Sequence, residues 1–289
     1  MDWQIAALLS SIFGAFCIHI NHVFKVDGAV LVLLRMVPMA LLVGLSMLFL
    51  TVPQGWVYYA WGLAGGVAVA VADVLILNAA ITYGGRLTAL FLPLKIFMVF
   101  AAWLAIDAAA RASVLNNLPL LAGVLLCFFA IFMSMLSFRR NDAQWRALMA
   151  VAPVAALYSF DDICLKFAFA SQPDVWGASA MMLLINCVVG GVLAAVWLVW
   201  QQQRMAHIFT WPNVYGTATQ TGLVFLAAGT FYLAIAGAPN PAYVSAIGVL
   251  SAVWLAIYYK LSRGDDASVF ASTLMLGSAM VLAILTGGQ

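Results

Sequence analysis

The sequence predicts an all-α membrane protein with ten transmembrane helices, arranged as two inverted five-helix repeats. Three observations indicate this fold: the composition, the length of the apolar segments and a likeness between the two halves of the chain. Of the 289 residues, 66% are hydrophobic and only 8% are charged, whereas soluble domains are about 45–50% apolar and about 25% charged. A chain with so little polar surface belongs in a lipid bilayer.

The apolar segments set the number of helices. A helix needs about 20 predominantly apolar residues to cross a hydrocarbon core of about 30 Å. Because the connections are short, consecutive helices are expected to run antiparallel. By this criterion the chain has ten spans: 3–23, 28–50, 57–80, 86–106, 115–136, 147–169, 176–199, 212–236, 240–260 and 267–287.

The chain divides into two halves of five spans. A polar linker, residues 139–146, separates residues 1–138 from residues 147–289. The fourth and ninth spans share the sequence Trp-Leu-Ala-Ile, which begins at Trp103 and at Trp254. Because each half has an odd number of helices, two related halves would insert in opposite orientations. Inverted repeats of this kind are typical of secondary transporters, with the substrate site between the two copies.

The first half has a pattern of basic, small and aromatic residues, and the second half has a lysine, small residues and a tryptophan in comparable places. The residues are Lys25, Arg35, Gly62, Gly65, Gly66, Ala79, Ala80, Pro93 and Trp103 in the first half, and Lys166, Gly222, Ala236 and Trp254 in the second. In this arrangement the chain resembles the EamA-like type of the drug/metabolite transporter superfamily. The resemblance implies a ten-helix carrier of small organic metabolites, often amino acids or related compounds, that frequently acts as an exporter. We expect a multi-pass protein of a bacterial inner membrane.

The orientation of the termini stays open. With the N-terminus in the cytoplasm, most basic loop residues would lie on the outer side, so the positive-inside rule favours both termini outside. The resemblance implies both termini in the cytoplasm.

Charges within the predicted spans indicate a polar cavity. Asp73 lies near the middle of the third span, and Lys95 lies in the fourth, shortly after Pro93. A charge at bilayer depth costs roughly 2.5–3.5 kcal/mol on insertion scales, so it needs a partner, a water-filled cavity or a substrate. Lys95 is expected to bind an anionic substrate group or to pair permanently with Asp73. Asp73 is the corresponding pair partner, or it binds substrate or acts as a protonatable coupling site.

The sixth span carries four polar residues. Asp162 and Lys166 are four residues apart on one helix face, which predicts a local structural ion pair. Asp161 is rotated by about 100° from Asp162 and shares a face with Tyr158. Asp161 and Tyr158 are therefore candidates for binding the substrate, and Asp161 also for coupling to a proton.

Five further polar residues are candidates with alternatives. Arg35 either extends to the interface or pairs with an acid and contributes to the site. Asn186 either joins helices by hydrogen bonds or binds substrate, and Tyr232 is a candidate for lining the cavity. His19 and His22 share one face of the first span. They either couple protons or contact lipid headgroups.

We expect a secondary carrier that works by alternating access on a small zwitterionic or anionic metabolite, coupled to protons or to exchange. A flippase for a lipid-linked headgroup is an alternative on the same fold. An intramembrane enzyme is a further alternative, in which Asp161 and Asp73 would act as paired acids. The net charge is +2, without a basic stripe, and the four cysteines stand singly. We therefore expect no nucleic acid, metal or cofactor, only a small-molecule substrate and the bilayer, with the chain a monomer or homodimer.

Overall fold

The computed structural model describes residues 2–83, 88, 94–137, 143–202 and 208–263, together with residues 274, 277, 278, 281 and 285. The regular elements in these ranges are α-helices. They are α1 (Trp3–Phe24), α2 (Gly28–Ser46), α3 (Trp56–Tyr83), α4 (Leu94–Ile106), α5 (Ala108–Leu115), α6 (Leu118–Ser137), α7 (Ala143–Phe169), α8 (Val175–Trp200), α9 (Trp211–Gly237), α10 (Pro241–Gly248) and α11 (Leu250–Arg263).

Short polar side chains set where several helices begin. The first backbone N–H groups of a helix have no partner within it, and an Asp or Asn side chain can accept from them. Four such residues each accept a hydrogen bond from the N–H two positions further on: Asp27 before α2, Asp107 before α5, Asp174 before α8 and Asn240 before α10.

The described helices make the chain a multi-pass integral membrane protein. Seven helical spans are long and apolar enough to cross a membrane, α10 and α11 together forming one of them. The number rises to eight if α4 and α5, which are bent by 107° at Asp107, count as one span. Large apolar side chains cover the outer faces of α2 and α8, as lipid contact requires. They include Leu41, Leu42, Leu45, Val192, Val196 and Val199.

The count of ten spans is therefore not confirmed. The sequence did not predict the bend at Asp107, where the aspartate cap starts a new short helix. The apolar part of α6 is shorter than a full span within the described residues, covering 118–133. The predicted tenth span, 267–287, lies almost wholly outside the described residues, as do Pro93 and much of the linker 139–146.

Helices from the first half of the sequence pack mainly against helices from the second half. α1 packs on α9, α3 packs on α7, and α2 packs on α8. If the halves are numbered separately, the first helix of each contacts the third helix of the other. Trp103 of α4 lies 5.6 Å from the ring of Phe167 in α7. The indole of Trp254 in α11 donates to Ser11 in α1 at 2.9 Å. Each shared tryptophan thus contacts the first helix of the opposite half.

Glycines permit the closest contacts between the halves. A Cβ on Gly62 would lie 3.1 Å from Ile185 of α8, and one on Gly177 would lie 2.2 Å from the backbone oxygen of Thr51. Thr51 belongs to the α2–α3 connection, and its hydroxyl donates to Asp174 at the start of α8. This hydrogen bond lowers the pKa of Asp174. The carboxylate is therefore charged at neutral pH when it accepts from Thr51.

Replacing Gly177 by alanine is expected to destabilise the protein by about 1–3 kcal/mol, because the new methyl group would overlap a backbone oxygen that cannot rotate away. Thermal unfolding in detergent measures the change. Gly222→Ala is the matched control, since a Cβ there meets no atom within 4 Å. Equal effects of the two substitutions would contradict the close contact at Thr51.

Candidate functional site

A cavity of about 300 Å³ lies between helices of both halves. All seven residues that the sequence suggested for substrate binding line it. We call it the charged cavity. Its polar and charged lining includes Arg35, Asp73, Lys95, Tyr158, Asp161, Asp162, Asn186, Gln220, Tyr232 and Ser245. The structure therefore brings these residues together, and their role in binding stays a prediction.

Arg35 and Asp73 form the first ion pair of the charged cavity. Arg35 is buried and does not extend to the interface, which corrects one of the two expectations for it. Asp73 therefore pairs with Arg35 and not with Lys95. Its other oxygen accepts from the Tyr158 hydroxyl at 2.6 Å. With an ion pair and a hydrogen bond, the Asp73 carboxylate has partners on both oxygens.

Gln220 joins this pair to the second half of the chain. Its side-chain oxygen accepts from Arg35 Nη1 at 3.2 Å, and its amide nitrogen donates to the Cys17 carbonyl at 3.0 Å. Gln220 is not among the residues suggested from the sequence, although it lies inside the apolar span 212–236 and a glutamine in a membrane interior is expected to be hydrogen-bonded.

Lys95 and Asp162 form the second ion pair, with Lys95 Nζ at 3.1 Å from Asp162 Oδ2. Ser245 donates to the same carboxylate oxygen at 2.6 Å. The ammonium also lies 5.0 Å from the ring centroid of Phe231, a distance at which an aromatic ring attracts a cation. The Asp162 side chain is 1% exposed and that of Lys95 17% exposed. Lys95 is thus the partner whose charge reaches the open space of the cavity.

The predicted ion pair between Asp162 and Lys166 is wrong. Lys166 extends away from Asp162, toward the C-terminal end of α9, where it donates to the carbonyls of Ile235, Ala236 and Ala238. The last carbonyls of a helix have no partner within it and attract cations. Lys166 therefore completes the end of α9, and Asp162 is left to pair with Lys95.

Asp161 has no such partner. Its side chain is 3% exposed, and its Oδ1 atom has no hydrogen-bond partner among the described residues. Asp161 lies against Gly65 of α3, where a Cβ would be 2.6 Å from Oδ1. The sequence predicted that Asp161 lacks Lys166, the partner then expected for Asp162, but in the structure Asp162 pairs with Lys95 instead.

Asn186 of α8 donates to the hydroxyl of Tyr232 in α9. This contact makes Asn186 a link between helices, one of its two expected roles. Its Oδ1 atom is nevertheless buried without a partner among the described residues, against Gly66. A buried acceptor left without a donor costs about 1–3 kcal/mol.

His19 does not line the charged cavity. It is buried on α1, 4.8 Å from the ring of Tyr258. The side chain of His22 lies outside the described residues.

The charges of the cavity do not cancel among the residues that the structure describes. These lining residues include two basic side chains, Arg35 and Lys95, and three carboxyl groups, Asp73, Asp161 and Asp162. Each base is paired with one acid. One carboxyl group, that of Asp161, is therefore in excess. A proton or a positively charged group that enters the cavity would restore neutrality.

Comparison with known proteins adds support for the fold only. No protein-family model matches the chain, and no curated protein is significantly similar to it. A solved structure, described as "Crystal structure of protein", is similar over 98% of this chain and 96% of that chain, with a TM-score of 0.68 and 14% sequence identity. The chain thus has the fold of a known structure.

The pairing of Asp162 is testable by double-mutant cycles on thermal stability. Asp162→Asn and Lys95→Met should show a coupling of about 0.5–3 kcal/mol, because the two side chains are in direct contact. Asp162→Asn and Lys166→Met should be additive within about 0.5 kcal/mol, because Lys166 binds carbonyls of α9 instead. A larger coupling to Lys166 than to Lys95 would contradict the observed partners.

Proposed function

We propose that this protein is a secondary active carrier of the drug/metabolite transporter type, which moves a small zwitterionic metabolite such as an amino acid across a bacterial inner membrane, with net export. The observation that carries the proposal is the charged cavity, which places five acidic or basic side chains of the described residues inside a membrane-embedded helix bundle. Such groups are costly in lipid, and in membrane proteins they mark paths for substrates, ions or protons.

The charge balance favours a zwitterion over a simple anion. Both basic side chains of the cavity are already paired with carboxylates, so an anion alone would have to displace an acid. A zwitterion supplies both signs. Its carboxylate can share Lys95, whose ammonium faces the cavity, while its positive end compensates the excess acid.

The exchanged packing of the halves supports the proposal of two inverted five-helix repeats. α1 on α9 and α3 on α7 are equivalent contacts if the halves are related by a two-fold axis in the membrane plane. The contacts of Trp103 and Trp254 follow the same exchange. In carriers built this way, one half moves against the other around a site at mid-depth. In a protein of ten spans, α6 would be the fifth span of the first half and the segment 267–287 the fifth span of the second half.

Transport in proteoliposomes tests the proposed function. We expect accumulation of a labelled zwitterionic amino acid when a proton gradient is imposed, and exchange when unlabelled solute is loaded on the other side. Lys95→Met should lower uptake by about tenfold or more, because it removes the only cavity ammonium that can reach the solute carboxylate. The control is Thr217→Val, a change of similar volume at a buried residue that does not line the cavity.

Two outcomes would contradict the proposal. One is uptake that neither a gradient nor a counter-solute drives, for a panel of amino acids, organic acids and amines. The other is uptake equal in Lys95→Met, Thr217→Val and the unmodified protein.

A further inference from the structure

We infer that the place now filled by the Lys95 ammonium is a binding subsite for the positive end of the solute, and that the solute displaces Lys95 from it. We call this place the cation subsite. It is formed by the Asp162 carboxylate and the rings of Tyr158 and Phe231. The inference deepens the proposed function and rests on it in one respect, namely that the ligand is the solute that the carrier moves.

One atom joins all the groups of the cation subsite. Lys95 Nζ lies 3.1 Å from Asp162 Oδ2 and 3.4 Å from Asp162 Oδ1, so it faces both carboxylate oxygens. The same atom lies 5.0 Å from the ring centroid of Phe231 and 5.7 Å from that of Tyr158. Aromatic rings attract cations over distances up to about 6 Å. The position of this nitrogen therefore shows that an ammonium group fits among these three side chains.

The cation subsite adjoins the charged cavity. Asp162, Tyr158, Phe231 and Lys95 all line this cavity. The Lys95 side chain is 17% exposed, whereas that of Asp162 is 1% exposed, so the lysine is the member of the pair that faces the open space. A solute in the cavity can therefore contact the ammonium of Lys95, and it reaches the carboxylate when it takes the place of that ammonium.

The pair of Lys95 and Asp162 is easier to exchange than the pair of Arg35 and Asp73. Both of its nitrogen–oxygen distances exceed the about 2.7–2.9 Å of a strong charged hydrogen bond. Lysine also carries its charge on a flexible stem. Arg35, by contrast, is 4% exposed and is held by both Asp73 and Gln220. We therefore assign the exchange to Lys95.

The exchange selects a solute that carries both charge signs close together. A buried charge without a partner is costly. A cation alone on Asp162 would leave Lys95 unpaired, and an anion alone on Lys95 would leave Asp162 unpaired. A zwitterion places its ammonium on Asp162 and its carboxylate on the released Lys95, so that each charge keeps a partner. Because the two side chains start in contact, the two charges of the solute must be near each other, as they are in an α-amino acid.

Thermal unfolding of the full-length protein in detergent tests the cation subsite with two probes, norvaline and n-butylammonium, which differ only in the carboxylate. A probe that binds the folded state raises the Tm. The unmodified protein is expected to bind norvaline about tenfold or more tightly than n-butylammonium, because only norvaline gives the released Lys95 a new partner. Lys95→Ala should reverse this preference. It should bind n-butylammonium about tenfold or more tightly than the unmodified protein does, because the competing ammonium is gone.

Two second substitutions in Lys95→Ala locate the bound n-butylammonium. Asp162→Asn should weaken its binding by about tenfold or more, because the carboxylate charge is lost. Phe231→Leu should weaken it by about threefold or more, because one aromatic face is lost. Phe225→Leu is the matched control, since Phe225 also lies on α9 and is partly buried but does not line the cavity. This control should bind n-butylammonium as Lys95→Ala alone does.

Three results would overturn the inference. The first is a preference for norvaline over n-butylammonium that stays unchanged in Lys95→Ala, and the second is no binding of n-butylammonium to Lys95→Ala. The third is binding of n-butylammonium to Lys95→Ala without binding of norvaline to the unmodified protein, as expected if the ion pair is only structural.

If Lys95→Ala does not fold, Lys95→Met replaces it, since the methionine side chain ends one atom short of the position of Nζ. The probe is then the ammonium ion, which should raise the Tm of Lys95→Met more than tetramethylammonium does, because only the smaller ion fits the place of Nζ. Equal effects of the two chlorides would overturn the inference.

The result separates the subsite from the carrier. Norvaline binding that depends on Lys95 and Asp162, in a protein that transports no solute into proteoliposomes, would uphold the subsite and reject the proposed function. Transport of a zwitterion by a protein whose preference between the two probes ignores Lys95 would uphold the proposed function and reject the subsite.

Discussion

The cost of charge in lipid is the constraint on which the interior of this protein depends. Five acidic or basic side chains of the described residues lie around one cavity among largely apolar helices. Four of them are neutralised as two ion pairs, and hydroxyl groups of Tyr158 and Ser245 add hydrogen bonds to the two acids. Within the described part of the chain, this arrangement leaves one acid of the cavity, Asp161, without an ion-pair partner.

The same polar contacts hold the two halves of the chain together. Lys95 belongs to the first half and Asp162 to the second. The pair of Arg35 and Asp73 lies within the first half, but Gln220 and Tyr158 of the second half bind to it. A movement of one half against the other must therefore exchange these contacts for others. In the proposed carrier, a solute with both charge signs supplies the replacements, which would couple its binding to the movement.

Much of this could be predicted from the sequence. Apolar length and composition indicate a helical membrane protein, and the seven residues suggested for binding all line one cavity. The reason is physical: a polar residue inside an apolar span is unfavourable in contact with lipid, so such residues gather in the interior of the helix bundle. Gln220 obeys the same rule and could have been found by it.

Partners could not be predicted in the same way. The spacing of Asp162 and Lys166 describes one helix in isolation, whereas Lys166 reaches the carbonyl end of α9, a neighbour that spacing does not reveal. The choice of Arg35 over Lys95 as partner of Asp73 likewise depends on how α2, α3 and α4 pack. The bend at Asp107 depends on a cap that competes with a continuous apolar helix. Packing between helices decides the two pairings, and a local cap decides the bend.

Access to the charged cavity from the two sides of the membrane is the most direct test of alternating access. Ser10 lines the cavity, so a single cysteine placed there by Ser10→Cys, in a variant without the four native cysteines, reports its exposure. A membrane-impermeant maleimide would be added to vesicles of either orientation. The proposed carrier predicts labelling from both sides, with solute changing the ratio of the two rates. Labelling from one side alone, with or without solute, would contradict alternating access.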